Sequence, residues 1–497
     1  MRILLIDPPF KRLTGLVNNY FPIGLGYLAA VAEQMGHEVS IYEVDAARKP
    51  TSLDFVGEYK RYDNYLRIVN DRNHPIWQEI KEKIQEFHAD LIGISSMTPK
   101  IASALVVADI CKEVNPDCPV VFGGAHPTVS PEQTISYESI DFIVRGEGEK
   151  SFAELIKAID EGENKKLRNI KGLSYKENGK IIHNPPREFI KDLDSIPFPA
   201  RERLMNLENY TSEDMGVILT SRGCPFKCTY CYHPWKGRVH FRSIDNVIEE
   251  IKQVIKDYGT RQFAFKDDSF TLNRRRTMEF CERIIKERLN INWDCTTRVD
   301  LIDEEMLKLM KRAGCNVIKV GIETGSERIL KEIQKGITFE QARRAAKLFN
   351  KYGIFWSAYF MMGLPQETEE EILATYHFMR ELNPFYAGLG VYEAFRYTKL
   401  FDQGVKMGLL YPEVEIDHFY KTRPKDYYFI NPKKRVLAIS PERFQELVDF
   451  MTKAFDRHNK SLDKMVKRGW ARKKVYLSDV RLLYSDVKKA ISWILNR

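Results

Sequence analysis

Residues 224–231 read CPFKCTYC and place three cysteines, Cys224, Cys228 and Cys231, on one short stretch. The stretch directly follows a strand-like run, Val217–Thr220. Thiolates are preferred ligands of iron–sulfur clusters and of zinc. A structural zinc site takes four ligands, and the neighbouring His233 has no partner at zinc-finger spacing. Three cysteines on one loop therefore predict a 4Fe-4S cluster in which one iron has no protein ligand.

The remaining five cysteines are scattered singly, at positions 111, 118, 281, 295 and 315. The chain has 497 residues, of which 43% are hydrophobic and 29% charged, so two or three globular domains are expected. No apolar run approaches the roughly 18 residues of a membrane span. Met1 runs directly into the strand-like Arg2–Asp7, which leaves no room for a signal peptide and predicts a cytoplasmic location.

The net charge of +8 is concentrated late in the chain, in Lys464–Val475. We interpret this stretch first as the solvated face of a basic helix, and the alternative is contact with a membrane surface or an acidic partner. The nearby aromatic residues, which include Trp470, Tyr476, Tyr484 and Trp493, are expected to pack against the rest of the protein. No nucleic-acid partner is expected.

A series of strand and helix patterns begins near Gly216 and defines a predicted domain over residues 210–430. Its strand candidates are Val217–Thr220, Gln262–Phe265, Trp293–Thr296, Val317–Gly321, Trp356–Met361 and Gly388–Tyr392. Amphipathic helices follow most of these strands, and Ser243 can cap one of them. Six βα units predict a partial (βα)6 barrel whose site lies at the C-terminal strand ends. Residues 431–497 are predicted to form a helical segment.

Residues 1–165 also alternate between strand and helix patterns. Their strand candidates are Ile3–Ile6, Val39–Val44, Leu91–Ser95, Pro119–Phe122 and Phe142–Val144. Short apolar strands with crossover helices predict a doubly wound, flavodoxin-like (Rossmann-type) α/β domain. Residues 166–209 follow as a linker in which Asn178-Gly179 predicts a hairpin. Residues 50–75, rich in tyrosine and charge, are expected to be an irregular insertion.

Ligands of such sheets bind beyond the carboxyl ends of the strands. Small polar residues and glycines stand at those places and are the candidate ligand contacts: Ser95, Ser96, Thr98, Gly123, Gly124, His126, Gly146 and Glu147. Glycine lets a backbone approach a large flat ligand closely, and the hydroxyl groups can bond to it. The alternative is that these turns only serve packing and that the domain is a docking module.

The CxxxCxxC spacing of the cysteines, with Tyr230 before the last one, resembles the radical SAM superfamily. The resemblance implies that the open iron binds S-adenosylmethionine (SAM). It also implies SAM contacts from residues at or near strand ends, namely Tyr230, Asp268, Arg298, Glu323 and Gly363. Arg298 would pair with the SAM carboxylate, since a guanidinium forks onto a carboxylate. The alternative is that Arg298 and Glu323 form an ion pair inside the barrel.

A flavodoxin-like domain ahead of such a barrel resembles the cobalamin-binding class of this superfamily, over about residues 1–400. The resemblance implies that the candidate contacts of the first domain hold cobalamin. In many cobalamin domains the first βα loop reads D-x-H-x-x-G, and its histidine ligates cobalt. Here the loop reads Asp7-Pro8-Pro9, and Pro9 cannot ligate. The lower cobalt face would then lack that histidine, and His126 is expected to form hydrogen bonds rather than to ligate cobalt.

Another radical SAM group, the methylthiotransferases, carries three cysteines in an N-terminal α/β domain for a second cluster. This chain has only Cys111 and Cys118 in that region. The cysteine count therefore argues against that group.

The resemblance implies a C-methyltransferase that acts on an unactivated carbon. A 5′-deoxyadenosyl radical would remove hydrogen from the substrate, methylcobalamin would supply the methyl group, and an external donor such as flavodoxin or ferredoxin would supply the electron. Two alternatives stay open: a cyclase, oxidase or rearrangement enzyme with the same cofactors, and a non-catalytic cobalamin-binding sensor. The substrate class, whether small molecule, lipid, tetrapyrrole or peptide, stays open because Glu393–Lys399 departs from the PGT-like sequence of many relatives.

Overall fold

The computed structural model describes residues 1–15, 20–46, 58–232, 234–235, 237–423 and 428–471, with residues 484, 487 and 488. Its first sheet has seven strands: β1 (Arg2–Asp7), β2 (Glu38–Glu43), β3 (Leu91–Ser95), β4 (Val120–Gly123), β5 (Phe142–Val144), β6 (Leu173–Glu177) and β7 (Lys180–His183). The helices around it are α1 (Lys11–Thr14), α2 (Ile23–Gln34), α3 (Glu58–Val69), α4 (Pro75–Phe87), α5 (Ile101–Val114), α6 (Ala125–Val129), α7 (Pro131–Ile135) and α8 (Gly148–Asp160).

The strand order is β2-β1-β3-β4-β5-β6-β7, and the first five strands are parallel. This is the doubly wound, flavodoxin-like order, so the predicted fold of this part is confirmed. The hairpin predicted at Asn178-Gly179 forms β6 and β7, which extend the sheet in antiparallel fashion beside β5. Both turn residues have positive φ, 50° and 75°, as a tight two-residue hairpin requires.

The insertion expected to be irregular contains a helix, α3, so that expectation is wrong for residues 58–69. Tyr62, Tyr65, Ile68 and Val69 are buried on one face of this helix. Their spacing of three and four residues is the helical signal, and the charged residues between them obscured it. Residues 50–57 of that insertion lie outside the described residues.

A second sheet follows, together with a small antiparallel pair, β9–β10. The strands are β8 (Val217–Ile218), β9 (Ser221–Arg222), β10 (His240–Phe241), β11 (Gln262–Phe265), β12 (Asn292–Thr297), β13 (Cys315–Glu323), β14 (Phe355–Met362) and β15 (Tyr386–Val391). The helices are α9 (Ile244–Tyr258), α10 (Arg274–Lys286), α11 (Glu304–Arg312), α12 (Glu327–Glu332), α13 (Phe339–Lys351), α14 (Glu369–Leu382), α15 (Lys399–Lys406), α16 (His418–Lys421), α17 (Pro441–Asn459) and α18 (Leu462–Ala471).

The six parallel strands stand in the order β8-β11-β12-β13-β14-β15, as in an open (βα)6 barrel. The predicted partial barrel is confirmed. Ser243 caps α9 by accepting from Asn246 N, as its position predicted. Helix α17 covers the open edge at β15, where the Asn459 side chain bonds to both the N–H and the C=O of Ala387, each at 2.8 Å. Among the described residues, no helix is both long and apolar enough to cross a membrane.

A buried ion triad joins the chain segment after β7 to the barrel. The Glu250 carboxylate on α9 is fully buried and accepts from Arg201 Nη2 at 2.7 Å and from Arg242 Nη1. Arg201 also donates to the carbonyl oxygen of Val217 on β8, at 2.7 Å. Removing one member of such a network leaves the other charges buried without compensation.

We predict that Glu250→Gln destabilises the protein by about 3 kcal/mol, since two buried guanidinium groups lose their counter-charge. The midpoint of urea unfolding, followed by circular dichroism, measures the effect. Glu249→Gln is the matched control because Glu249 is the exposed neighbour on the same helix, and a change within about 0.5 kcal/mol is expected there. Equal midpoints for both variants would show that the triad does not hold this junction.

Candidate active site

The cysteine loop lies between β9 and β10, just beyond the carboxyl end of β8. Its backbone is held on two sides, because Thr229 N donates to Ile333 O and Thr229 O accepts from Leu400 N, both at 2.9 Å. Gly223 begins the loop with a φ of +99°, and a Cβ there would lie 2.1 Å from Arg238 O. A side chain at residue 223 would collide with the Arg238 carbonyl oxygen, so the turn into the loop requires glycine there.

The three cysteine thiols lie near one another and differ in exposure: Cys228 is buried, Cys224 partly buried and Cys231 exposed. Loss of hydration around the Cys231 side chain, together with the nearby Cys228 and Cys224, raises the pKa of Cys231 to about 12. Three thiolates at this place therefore need a strong positive partner, which iron supplies.

Within the described residues, no three His, Cys, Asp or Glu side chains are placed to hold a metal ion between them. The donor set of residues 224–231, three thiols and no other metal-ligating side chain, suits a cluster with one open iron.

Arg298 and Glu323, both predicted to contact SAM, lie beside this loop and do not pair with each other. Arg298 Nη1 is 4.0 Å from Cys228 Sγ, and its Nε and Nη2 bind the two carboxylate oxygens of Asp300 at 3.0 and 3.1 Å. Glu323 Oε1 binds Lys335 Nζ at 2.6 Å. The Arg298–Glu323 ion pair that the sequence allowed is therefore not the arrangement found.

Lys335 links three parts of this region and was missed at the level of sequence. Its Nζ lies 3.4 Å from the hydroxyl of Tyr230, and its carbonyl oxygen accepts from Arg298 Nη2 at 2.7 Å. Burial and the nearby Glu323 carboxylate raise the pKa of Tyr230 well above its usual value. Lys335 follows α12 in an ordinary Gln334-Lys335-Gly336 turn, so the sequence carries no signal of its role.

Gly363 makes the turn after β14 with a φ of +82°. Its N–H donates to Glu367 Oε2 at 2.6 Å, and the N–H of Leu364 donates to the same oxygen at 3.2 Å. Burial raises the pKa of Glu367 to about 8. The turn that carries the predicted SAM contact Gly363 is thus fixed from within by a buried carboxyl group.

A cleft of about 440 Å3 opens between the two sheets' carboxyl ends. Several of the predicted contacts line it, namely Ser95, Gly123, Gly124, Gly146, Glu147 and Asp268. A Cβ on Gly24 or Gly146 would meet no atom within 4 Å, so these two lining glycines leave open space where side chains would stand. This open, glycine-lined floor suits a large flat cofactor.

Three predicted contacts, Ser96, Thr98 and His126, are not among the residues that line this cleft. His126 lies on α6 rather than in a loop, is 1% exposed, and has its Nδ1 3.2 Å from Thr98 Oγ1. Burial, with the nearby charge of Arg396, lowers the pKa of His126 to about 3, so the ring is neutral.

Glu147 connects the cleft to residues on both sides of the three cysteines. Its Oε1 accepts from Arg222 Nη1 at 3.0 Å and from Trp235 Nε1 at 3.2 Å. Arg222 precedes the cysteines and Trp235 follows them, and Arg222 also pairs with Glu149. Arg222 and Trp235 line the cleft and were missed at the level of sequence, because only the fold brings them to Glu147.

Two family models match the chain, the B12 binding domain over residues 13–156 and the radical SAM superfamily over residues 218–379. An uncharacterized methyltransferase of Pyrococcus horikoshii is 36% identical to it over 423 residues, which cover 82% of this chain and 84% of that protein. The chain belongs to the cobalamin-binding radical SAM superfamily. The family resemblance seen in the sequence is therefore confirmed, and the chain is a radical SAM enzyme whose superfamily uses a 4Fe-4S cluster, SAM and, in this class, cobalamin.

A second relative of this radical SAM enzyme is the anaerobic magnesium-protoporphyrin IX monomethyl ester cyclase of Rubrivivax gelatinosus, 30% identical over 100% of this chain and 88% of that protein. Among solved structures, the methyltransferase TsrM from Kitasatospora setae with cobalamin and 4Fe-4S cluster bound is similar with a TM-score of 0.64 at 20% identity, over 82% of this chain and 75% of TsrM. The cobalamin-dependent radical enzyme OxsB is similar with a TM-score of 0.62 at 17% identity, over 100% of this chain and 70% of OxsB. At these identities the two structures support the fold.

We predict that Glu147→Gln weakens cobalamin binding about tenfold, or roughly 1.4 kcal/mol, because Arg222 loses one of its two carboxylates at the cleft wall. Equilibrium dialysis with hydroxocobalamin measures the dissociation constant. Glu154→Gln is the control, since Glu154 lies on α8, the helix that Glu147 caps, but pairs with Arg187 and is not among the residues that line the cleft. The idea fails if the two variants bind hydroxocobalamin equally well.

Proposed function

We propose that this enzyme is a cobalamin-dependent radical SAM C-methyltransferase acting on an unactivated carbon. The observation that carries the proposal is the position of the cysteine loop against the cleft. Ser221, Arg222 and Tyr232, which flank the cysteines, line the same cleft as the glycines of the first domain. A group held by the cysteines and a group held by the cleft would therefore face one another.

We assign the cluster to Cys224, Cys228 and Cys231, and the cobalamin to the cleft lined by Ser95, Gly123, Gly124, Gly146 and Glu147. When bound, the cluster with SAM supplies a carbon-centred radical and cobalamin supplies a methyl group. The chain's own residues hold and orient these groups. Arg298, Glu323 and Tyr230 lie within one hydrogen-bonded group around Lys335, beside Cys228, and are placed to bind the polar end of SAM.

Arg298 places a guanidinium group beside Cys228. It is 6% exposed, stacks on the Phe226 ring with its guanidinium carbon 3.6 Å from the centroid, and has its Nη1 4.0 Å from Cys228 Sγ. Asp300 offsets part of the guanidinium charge. Burial of Arg298, Glu323 and Lys335 limits water on the Cys228 side of the loop, and exclusion of water protects a reactive radical from side reactions.

A second candidate keeps both cofactors without methyl transfer. It is favoured by the full-length similarity to the magnesium-protoporphyrin ester cyclase, which covers all of this chain. A cyclase and a methyltransferase share the radical step and differ in the use of SAM. The external electron donor we propose, a flavodoxin or ferredoxin, serves either reaction. Contact of the basic C-terminal segment with a membrane surface stays a separate prediction.

The cluster assignment is tested by anaerobic reconstitution with iron, sulfide and hydroxocobalamin, followed by SAM and a reductant. The native chain is expected to form 5′-deoxyadenosine. In Cys228→Ala the rate of 5′-deoxyadenosine formation is expected to fall at least about a hundredfold, because one iron loses its ligand. Cys118→Ala serves as control, since Cys118 is buried in the first domain. Retention of SAM cleavage by Cys228→Ala would refute the assignment.

The same reaction separates methyl transfer from cyclisation. A methyltransferase consumes a second SAM as methyl donor, so transfer of that methyl group to the reduced bound cobalamin releases one S-adenosylhomocysteine per cobalamin beside 5′-deoxyadenosine. A cyclase yields 5′-deoxyadenosine alone. Mass spectrometry of both nucleosides decides between them, and absence of S-adenosylhomocysteine in the cobalamin-loaded enzyme would overturn the methyltransferase proposal.

A further inference from the structure

A second cavity of about 200 Å3 lies next to the cofactor cleft. Tyr232 and Ala125 line both spaces, so the cavity and the cleft share a wall. Tyr232 directly follows Cys231, the last cysteine of the cluster loop. The cavity is thus adjacent to the proposed sites of both cofactors. A substrate of the proposed reaction has to lie close to both.

The walls of this cavity come from both domains and from the stretch Glu393–Lys399, which departs from the pattern of many relatives. Aromatic and apolar side chains form most of them: Met97, Tyr232, Phe395, Tyr428 and Phe429. Small-molecule pockets usually measure about 300–1,000 Å3. The cavity therefore suits one ring system of a ligand rather than a whole macrocycle.

Two charged residues line this largely apolar cavity, Glu393 and Arg396, and Arg396 supplies the positive charge. Its Nη1 lies 3.2 Å from Ser130 Oγ, and its Nη2 binds Glu413 Oε1 at 3.1 Å. The Arg396 side chain is 18% exposed, whereas that of Glu413 is 79% exposed. An ion pair with so exposed a partner contributes little, about 0–1 kcal/mol, so an incoming anion can replace Glu413 at small cost.

We propose that this cavity is the substrate pocket and that it takes a ring-sized aromatic group bearing a carboxylate, which Arg396 binds. The inference rests on the proposed function, because it places the substrate beside the two cofactors. A guanidinium binds a carboxylate through two parallel hydrogen bonds, and the neighbouring rings of Phe429 and Tyr397, with centroids 6.0 and 5.8 Å from the Arg396 guanidinium carbon, hold it in place.

The test uses 2-naphthoate and its neutral counterpart 2-naphthamide as probes, in equilibrium dialysis with the enzyme loaded with cluster and hydroxocobalamin, so that the larger cleft is filled. The native enzyme is expected to bind naphthoate at least fivefold more tightly than naphthamide. Arg396→Gln is expected to weaken the binding of naphthoate about tenfold and that of naphthamide less than twofold. Glu413→Gln is expected to strengthen the binding of naphthoate about twofold, because Arg396 loses its competing carboxylate.

Arg343→Gln is the matched control, since Arg343 also combines a carboxylate, Glu381, with an aromatic ring, Phe378, but on the outer helices α13 and α14. Absence of naphthoate binding, an equal loss of both probes in Arg396→Gln, or unchanged naphthoate affinity in both Arg396→Gln and Glu413→Gln would overturn the inference. SAM cleavage by the native enzyme is measured in the same preparation. Its absence alongside selective naphthoate binding would refute the proposed function and leave the anion pocket standing.

Discussion

One carboxylate, that of Glu147, holds the two halves of the site together. It belongs to the first domain, yet it accepts hydrogen bonds from Arg222 and Trp235, which stand before and after the three cysteines. The loop has little regular structure, so its position depends on these bonds and on the backbone bonds of Thr229 to Ile333 and Leu400. Because Glu147 also lines the cleft, the same contact that orients the loop fixes the distance between the two proposed cofactor sites.

Much of the fold follows from local sequence patterns, because parallel strands buried on both faces are short apolar runs. The predicted strands Leu91–Ser95, Phe142–Val144 and Gln262–Phe265 agree in their bounds with β3, β5 and β11. Helix α3 was missed because two of the four buried residues described on it are tyrosines and all four stand among charged residues. The pairing of the hairpin with β5 also lay beyond the sequence, since a turn signal says nothing about which sheet edge the hairpin joins.

The residues of the candidate site also fall into those that the sequence predicts and those whose contacts only the fold reveals. The cysteines are close in sequence, so spacing alone predicts their shared role. The group around Lys335 brings together Arg298, Glu323 and Tyr230 from three separate segments, and the sequence could suggest them singly but not their partners. His126 shows a second limit of local patterns: its place after a strand does not reveal that it lies buried on α6, and its role as a cobalamin contact stays a prediction.

The two hydrogen bonds between the Asn459 side chain and the backbone of Ala387 have a consequence for the synthesis of the protein on the ribosome. The last barrel strand, β15, is synthesised some seventy residues before the asparagine that covers its open edge, a sequence separation of 72. During that interval the strand presents unpaired N–H and C=O groups to any other chain. The nascent enzyme is therefore prone to self-association until α17 has emerged from the ribosome. Chains truncated before this helix keep the unpaired edge of β15 exposed.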